Sequence, residues 1–93
     1  MKTVIRLLPQ AEKDFVDISH RDQARIIRVL RLLQDFPRAA QTAGFEEAPD
    51  VRRAVAGFYL IFYRFEPTTS SLLVHTIRHG HRRPVELTKL GPL

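Results

Sequence analysis

The chain contains no cysteine. Disulfides are therefore excluded, and so is a structural zinc site built on thiolates. The lack of cysteine also agrees with a reducing compartment. Long apolar runs are missing as well: no stretch approaches the ~20 residues that a membrane span needs. The opening segment Met1-Lys-Thr-Val-Ile-Arg-Leu-Leu-Pro9 has too short an apolar run for a signal peptide. Cytoplasmic placement without a membrane partner is the expectation. Internal repeats and low-complexity tracts are absent too. Carboxylates are in the minority: 10 Asp and Glu stand against 15 Lys and Arg, giving a net charge of +5 and a pI near 10.4. Such an excess suits an anionic partner, whether nucleic acid, a ribosome or an acidic protein.

What is present is an ordinary globular composition, 44% apolar and 27% charged over 93 residues. That length makes one domain, 1–93, able to bury roughly 60–65% of its unfolded surface. Thr3 to Leu8 is β-branched and apolar, so it reads as a short strand. Pro9 ends it and suits the first position of a helix. Ala11, Phe15 and Ile18 recur at the spacing of one helix face. Asp22 is a candidate N-cap for a second helix from Gln23 to about Phe36. Its apolar stripe holds Ile26, Ile27, Val29, Leu30, Leu33 and Phe36, and Pro37 stops it. Arg25, Arg28 and Arg31 fill its other side and read as a solvated face. The short link makes the two helices an antiparallel hairpin. Phe15, Ile27 and Leu30 are expected in the core.

Arg38 to Asp50 lacks periodicity and reads as a loop, with a helical turn at Ala39–Thr42. Three strands follow: Val51 to Val55, Phe58 to Phe65 and Leu72 to His79. They are separated by a tight turn at Ala56-Gly57 and the turn Pro67-Thr-Thr-Ser-Ser71. The fold class is therefore α+β, a two-layer sandwich of order β-α-α-β-β-β, with an antiparallel sheet packed on the αα-hairpin. By alternation Tyr59, Ile61 and Tyr63 face the core. Phe58, Leu60 and Phe62 point the other way and would be exposed. An exposed apolar face on a small domain marks a partner site.

The last strand runs into a dense group of cations, Arg78, His79, His81, Arg82 and Arg83, followed by a basic tail over 80–93. Arginines so placed can stabilise phosphate charge, with Arg53 joining from a neighbouring strand. His79 or His81 can move protons near neutral pH. By strand parity His79 shares a face with Leu73, His75 and Ile77, which favours a structural role. The spacing of His75, His79 and His81 also suits a metal, but no carboxylate accompanies them, and neither a metal nor another cofactor is expected.

Four segments together resemble the RelE/ParE superfamily of type II toxin–antitoxin toxins. They are Pro9-x-Ala11-x-x-Asp14-Phe15-x-x-Ile18, Leu33-x-x-Phe36-Pro37, Arg53 with Gly57-x-Tyr59-x-Ile61-x-Tyr63-Arg64, and Ile77-Arg-His79-Gly80-His-Arg82-Arg83. The resemblance runs from about Leu7 to Pro84. It departs from the family in a short inter-helix linker, and in His81 and Arg83 where Arg and Asp are frequent. It implies a toxin neutralised by a cognate antitoxin. The strand motifs look more like the ParE branch, whose members block DNA gyrase by binding. Arg78, Arg82 and Arg83 would then contact the target, and Phe58, Leu60 and Phe62 the antitoxin. The alternative is a RelE-like, ribosome-dependent mRNA endoribonuclease using Arg53, Arg78, His79, His81, Arg82 and Arg83. A third possibility is a binding module that has lost toxicity.

Overall fold

The computed structural model describes residues 3–80. Its elements are β1 (Val4–Leu7), α1 (Pro9–Val16), α2 (His20–Asp35), β2 (Gln41–Thr42), β3 (Arg52–Ala56), β4 (Tyr59–Glu66) and β5 (Ser71–His79). One sheet takes the strands in the order β1-β5-β4-β3-β2. The expected antiparallel meander is present as β3-β4-β5. β1 joins β5 in parallel, Val4 opposite Ser71 through Leu7 opposite Val74, so the sheet is mixed. A strand's direction relative to a distant partner leaves no trace in its own alternation, and only the path of the intervening chain decides it.

Local chemistry places the boundaries. Pro9 occupies the first turn of α1, where its missing N–H costs little. α1 is only 8 residues long and has no side-chain cap; it must draw its stability from packing. α2 begins earlier than the sequence suggested, because Ser19 rather than Asp22 is its N-cap. The Ser19 Oγ accepts from the Asp22 N–H at 3.4 Å, and the Ser19 hydroxyl donates to the Asp22 carboxylate at 3.2 Å. Asp22 thus sits in the first turn, where its charge also complements the helix dipole. Gly57, with φ of +60°, supplies the positive φ that the two-residue β3–β4 loop needs at its first central position. Where a helical turn was expected at Ala39–Thr42, the chain instead forms β2 at the sheet edge against β3. Arg52 holds it extended, its Nη1 donating to the carbonyls of Arg38 at 3.2 Å and Ala40 at 2.6 Å.

The main core lies between hairpin and sheet. Ala11, Ile18, Ile26, Leu30 and Leu33 meet Ala54, Ala56, Ile61, Tyr63, Leu72, Val74 and Ile77. Leu30 is buried as expected, and Phe15 packs at the margin. Ile27 and Phe36 depart from expectation: they are 39% and 64% exposed. The buried stripe centres on Ile26, Leu30 and Leu33; Ile27 lies 100° round from Ile26, on its flank, and Phe36 has left the helix as its C-cap.

A second, smaller core covers the other side of the sheet. Ala48, Val51 and Phe62 are buried there, with Ala43, Phe45 and Leu60 packed around them. The Phe45 and Phe62 rings lie 6.0 Å apart. The aperiodic loop before β3 therefore folds back as a lid on the sheet. Phe62, expected on an exposed face, is consequently 5% exposed.

Candidate functional site

The alternation of β5 is broken once. Phe62 pairs with Thr76 and Tyr63 with Val74, leaving His75 as an extra residue, a β-bulge. Before the bulge Leu72 and Val74 face the helices. After it Ile77 and His79 do, since they pair with the core-facing Ile61 and Tyr59. The expected grouping of Leu73 with Ile77 and His79 on one face is therefore wrong: the bulge puts Leu73 on the opposite side. His75 itself is fully buried.

An acidic side chain of α1 meets this bulge. Asp14 Oδ2 accepts from the Thr76 hydroxyl at 2.6 Å and from the Ile77 N–H at 3.0 Å. Its Oδ1 accepts from Gln10 Nε2 at 2.9 Å. The pairing of β1 with β5 stops at Val74, where the Leu8 N–H donates to the Val74 carbonyl before the chain turns into α1. Past that point the outer edge of β5 has lost its neighbouring strand, and the carboxylate takes over one of its amides. Sequence reasoning missed this role; Asp14 stood in a quoted motif, but nothing local tied it to a strand 62 residues away.

The sheet face away from the helices carries the cations. Arg53 on β3 is exposed and pairs with Phe62; Arg78 on β5 is half-buried and pairs with Leu60. β4 lies between them, so their backbones are on the order of 10 Å apart. Val55, 62% exposed, sits opposite Leu60 and continues an apolar floor between the two arginines. Farther along β4, Arg64 lies 3.9 Å from Asp50 of the lid loop. The Nε atoms of Arg64 and Arg78 are buried without a hydrogen-bond partner among the described residues.

His79 lies on the opposite face. Its ring meets Tyr59 edge-on at 5.4 Å and stacks near Phe58 at 6.2 Å. Phe58 is 60% exposed at the hairpin tip. Gly80 closes the strand, its N–H donating to the Phe58 carbonyl at 2.6 Å. A Cβ there would lie 3.2 Å from that oxygen, so the approach suits glycine. His81, Arg82 and Arg83 lie outside the described residues. The six expected site residues are thus divided: Arg53 and Arg78 share a face, His79 is turned from them, and three lie beyond the description.

Tyr63 completes the inner face. Its hydroxyl donates to the Pro37 carbonyl at 2.8 Å, tying β4 to the end of α2. Burial raises its pKa above the ordinary phenol value, against the smaller lowering effects of backbone hydrogen bonding at Ala40 and the charge of Arg52.

Comparison with known proteins agrees with this architecture. Residues 5–84 match the model of a family described as the ParE toxin of the type II toxin–antitoxin system parDE. No curated protein matches the sequence. Among solved structures, the toxin–antitoxin complex RelBE2 of Mycobacterium tuberculosis is similar at 18% identity and a TM-score of 0.75, over 85% of this chain and 99% of that one. The isolated RelE toxin of E. coli is similar at 15% identity and a TM-score of 0.74, over 87% of each chain. The archaeal RelE–RelB complex of Pyrococcus horikoshii OT3 is similar at 16% identity and a TM-score of 0.65, over 89% of this chain and 100% of that one. At these identities the likeness is one of fold.

Proposed function

Since the chain belongs to the ParE toxin family of type II toxin–antitoxin systems, we propose that it acts by binding and inhibiting DNA gyrase, and that a cognate antitoxin silences it. The observation that carries this reading is the division of the cations from the histidine. Metal-free RNA cleavage needs a proton-transfer group and charge-stabilising cations at one phosphate. Among the described residues, which exclude His81, Arg82 and Arg83, Arg78 and His79 point to opposite faces of the sheet, and the His79 ring is engaged with Tyr59. Arg53 and Arg78, by contrast, flank an apolar floor of Val55 and Leu60. Arginines around apolar side chains, here the exposed Arg53 and the half-buried Arg78, are the composition of a protein-binding surface.

In this reading the antitoxin is an acidic protein that covers the same end of the sheet. Phe58 and Leu60 would meet it directly, and Arg53 and Arg78 would pair with its carboxylates. Phe62, covered by the loop before β3, would not meet it directly. The protein would act in the cytoplasm, where gyrase and antitoxin are found.

The likeness of fold to RelE toxins makes ribosome-dependent mRNA cleavage the second reading. The purified chain should inhibit supercoiling by gyrase and leave ribosome-bound mRNA intact. Replacing Arg53 and Arg78 together by Ala should weaken that inhibition at least tenfold with the fold retained. Cleavage of ribosomal mRNA with a pH-dependent rate would overturn gyrase binding in favour of the RelE-like activity. No effect in either assay, with the chain folded, would point to the module without toxicity.

A further inference from the structure

We infer that Asp14 of α1 is a positioning residue for Arg78: by holding the bulge at His75, it selects the register that turns Arg78 onto the open face of the sheet. The consequence for target binding rests on the function proposed above; the register itself does not.

The side-chain period of a strand is two, so a one-residue slip moves every side chain beyond it to the other face. In β5 the helix-facing positions are Leu72, Val74, Ile77 and His79. Without the extra residue they would be 72, 74, 76 and 78. Thr76 and Arg78 would then point toward the helices, and Ile77 and His79 toward the open face. Burial of Ile77 already favours the observed register over one that turns Arg78 inward; a contact from outside the β4–β5 pair adds to that preference.

Asp14 is placed to do so. It binds the hydroxyl of Thr76 and the N–H of Ile77, the two residues that follow the bulge, at 2.6 and 3.0 Å. In a slipped strand the N–H that reaches the carboxylate would belong to another residue. A carboxylate with two such donors favours one register specifically, because hydrogen bonds to an ionised acceptor are stronger and geometrically stricter than neutral ones. Gln10 donates to the other oxygen and fixes the carboxylate's orientation. The close approach of Gly80 to the Phe58 carbonyl opposes slippage from the far end, since a slip would bring His79 to that crowded position. The alternative register therefore competes rather than replaces.

Nuclear Overhauser contacts across β4 and β5 in the full chain read the register directly. Wild type should show Leu60–Arg78 and Tyr59–His79. Asp14→Leu should show a second, populated set, Leu60–Ile77 and Tyr59–Arg78, whereas Asp14→Asn, which keeps an oxygen acceptor, should show the wild-type set alone. Asp14→Ser, measured alongside, carries the same expectation as Asp14→Leu should the latter not fold. A single wild-type set in every folded variant that lacks the carboxylate or amide oxygen would overturn the proposal.

The activity arm is a double-mutant cycle on gyrase inhibition with Arg78→Ala. Asp14→Leu should weaken inhibition in wild type and cause no further loss when Arg78 is already Ala. Additive losses would overturn the proposal, because Asp14 would then act by a route other than Arg78. If wild type does not inhibit gyrase, the target reading fails while the contacts still decide the role of Asp14.

Discussion

Truncating Phe62 tests whether the loop before β3 is a lid. The side chain is 5% exposed beneath Phe45, Ala48 and Val51, on the sheet face away from the helices. Burying Phe→Ala sites in well-packed cores removes about 3–5 kcal/mol. This core is small and has a loop for its roof, which can partly collapse, so the lower end of about 3 kcal/mol is expected. A 93-residue chain has a total stability of about 5–14 kcal/mol; Phe62→Ala should therefore remove a fifth or more of it. With a urea dependence of about 1–3 kcal/mol per M, the unfolding midpoint should fall by about 1 M or more. Phe62→Leu keeps most of the volume and should lose less than about 1.5 kcal/mol. Phe58→Ala is the control: at 60% exposure, it should lose about 1 kcal/mol or less. Proteolytic cleavage between residues 43 and 51 should quicken in Phe62→Ala, because the loop has lost its anchor. Equal urea midpoints for Phe62→Ala and Phe58→Ala, with unchanged cleavage of the loop, would refute the lid and restore Phe62 to an exposed face.

The helix stripe offers a matched pair for the main core: Leu30→Ala, at 4% exposure, should lose about 2–5 kcal/mol, and Ile27→Ala, at 39%, about 1 kcal/mol or less, with chemical denaturation distinguishing them. Similar losses for both would mean that α2 is rotated on the sheet. Tyr63 predicts an alkaline limit. Its pKa is raised in the folded chain by burial, so the unfolded chain gives up this proton first; the linked stability is intact below pH 10 and falls as pH rises from 10 through the folded value. Phenolate absorbance should show one tyrosine titrating above 10 until the chain unfolds, and Tyr63→Phe should abolish that part of the alkaline loss.

Much of the fold follows from local pattern. Pro9, Pro37 and Gly57 punctuate the chain where φ or a missing N–H leaves few alternatives. The period of 3.6 in α2 and of 2 in β4 sorted Leu30, Ile61 and Tyr63 into the core, since each element must bury one face. The cap of α2 was misjudged because Ser19 and Asp22 are both good N-cap types, and only the hydroxyl's position relative to the Asp22 amide decides between them.

What the sequence by itself determined is the two helices, the strands β1, β3, β4 and β5, their order and the inward face of β4, because these depend on neighbours within a few residues. What only the tertiary structure decided is whatever needed a distant partner. β1 runs parallel to β5, the loop before β3 seals the outer face of the sheet over Phe62, and Asp14 meets the β5 bulge. The bulge leaves Arg78 beside Arg53 and turns His79 toward Tyr59. Strict alternation along the sequence had put Leu73 and Ile77 on one face; a single extra residue at 75 separates them, and periodicity cannot see an insertion that is stabilised from another element.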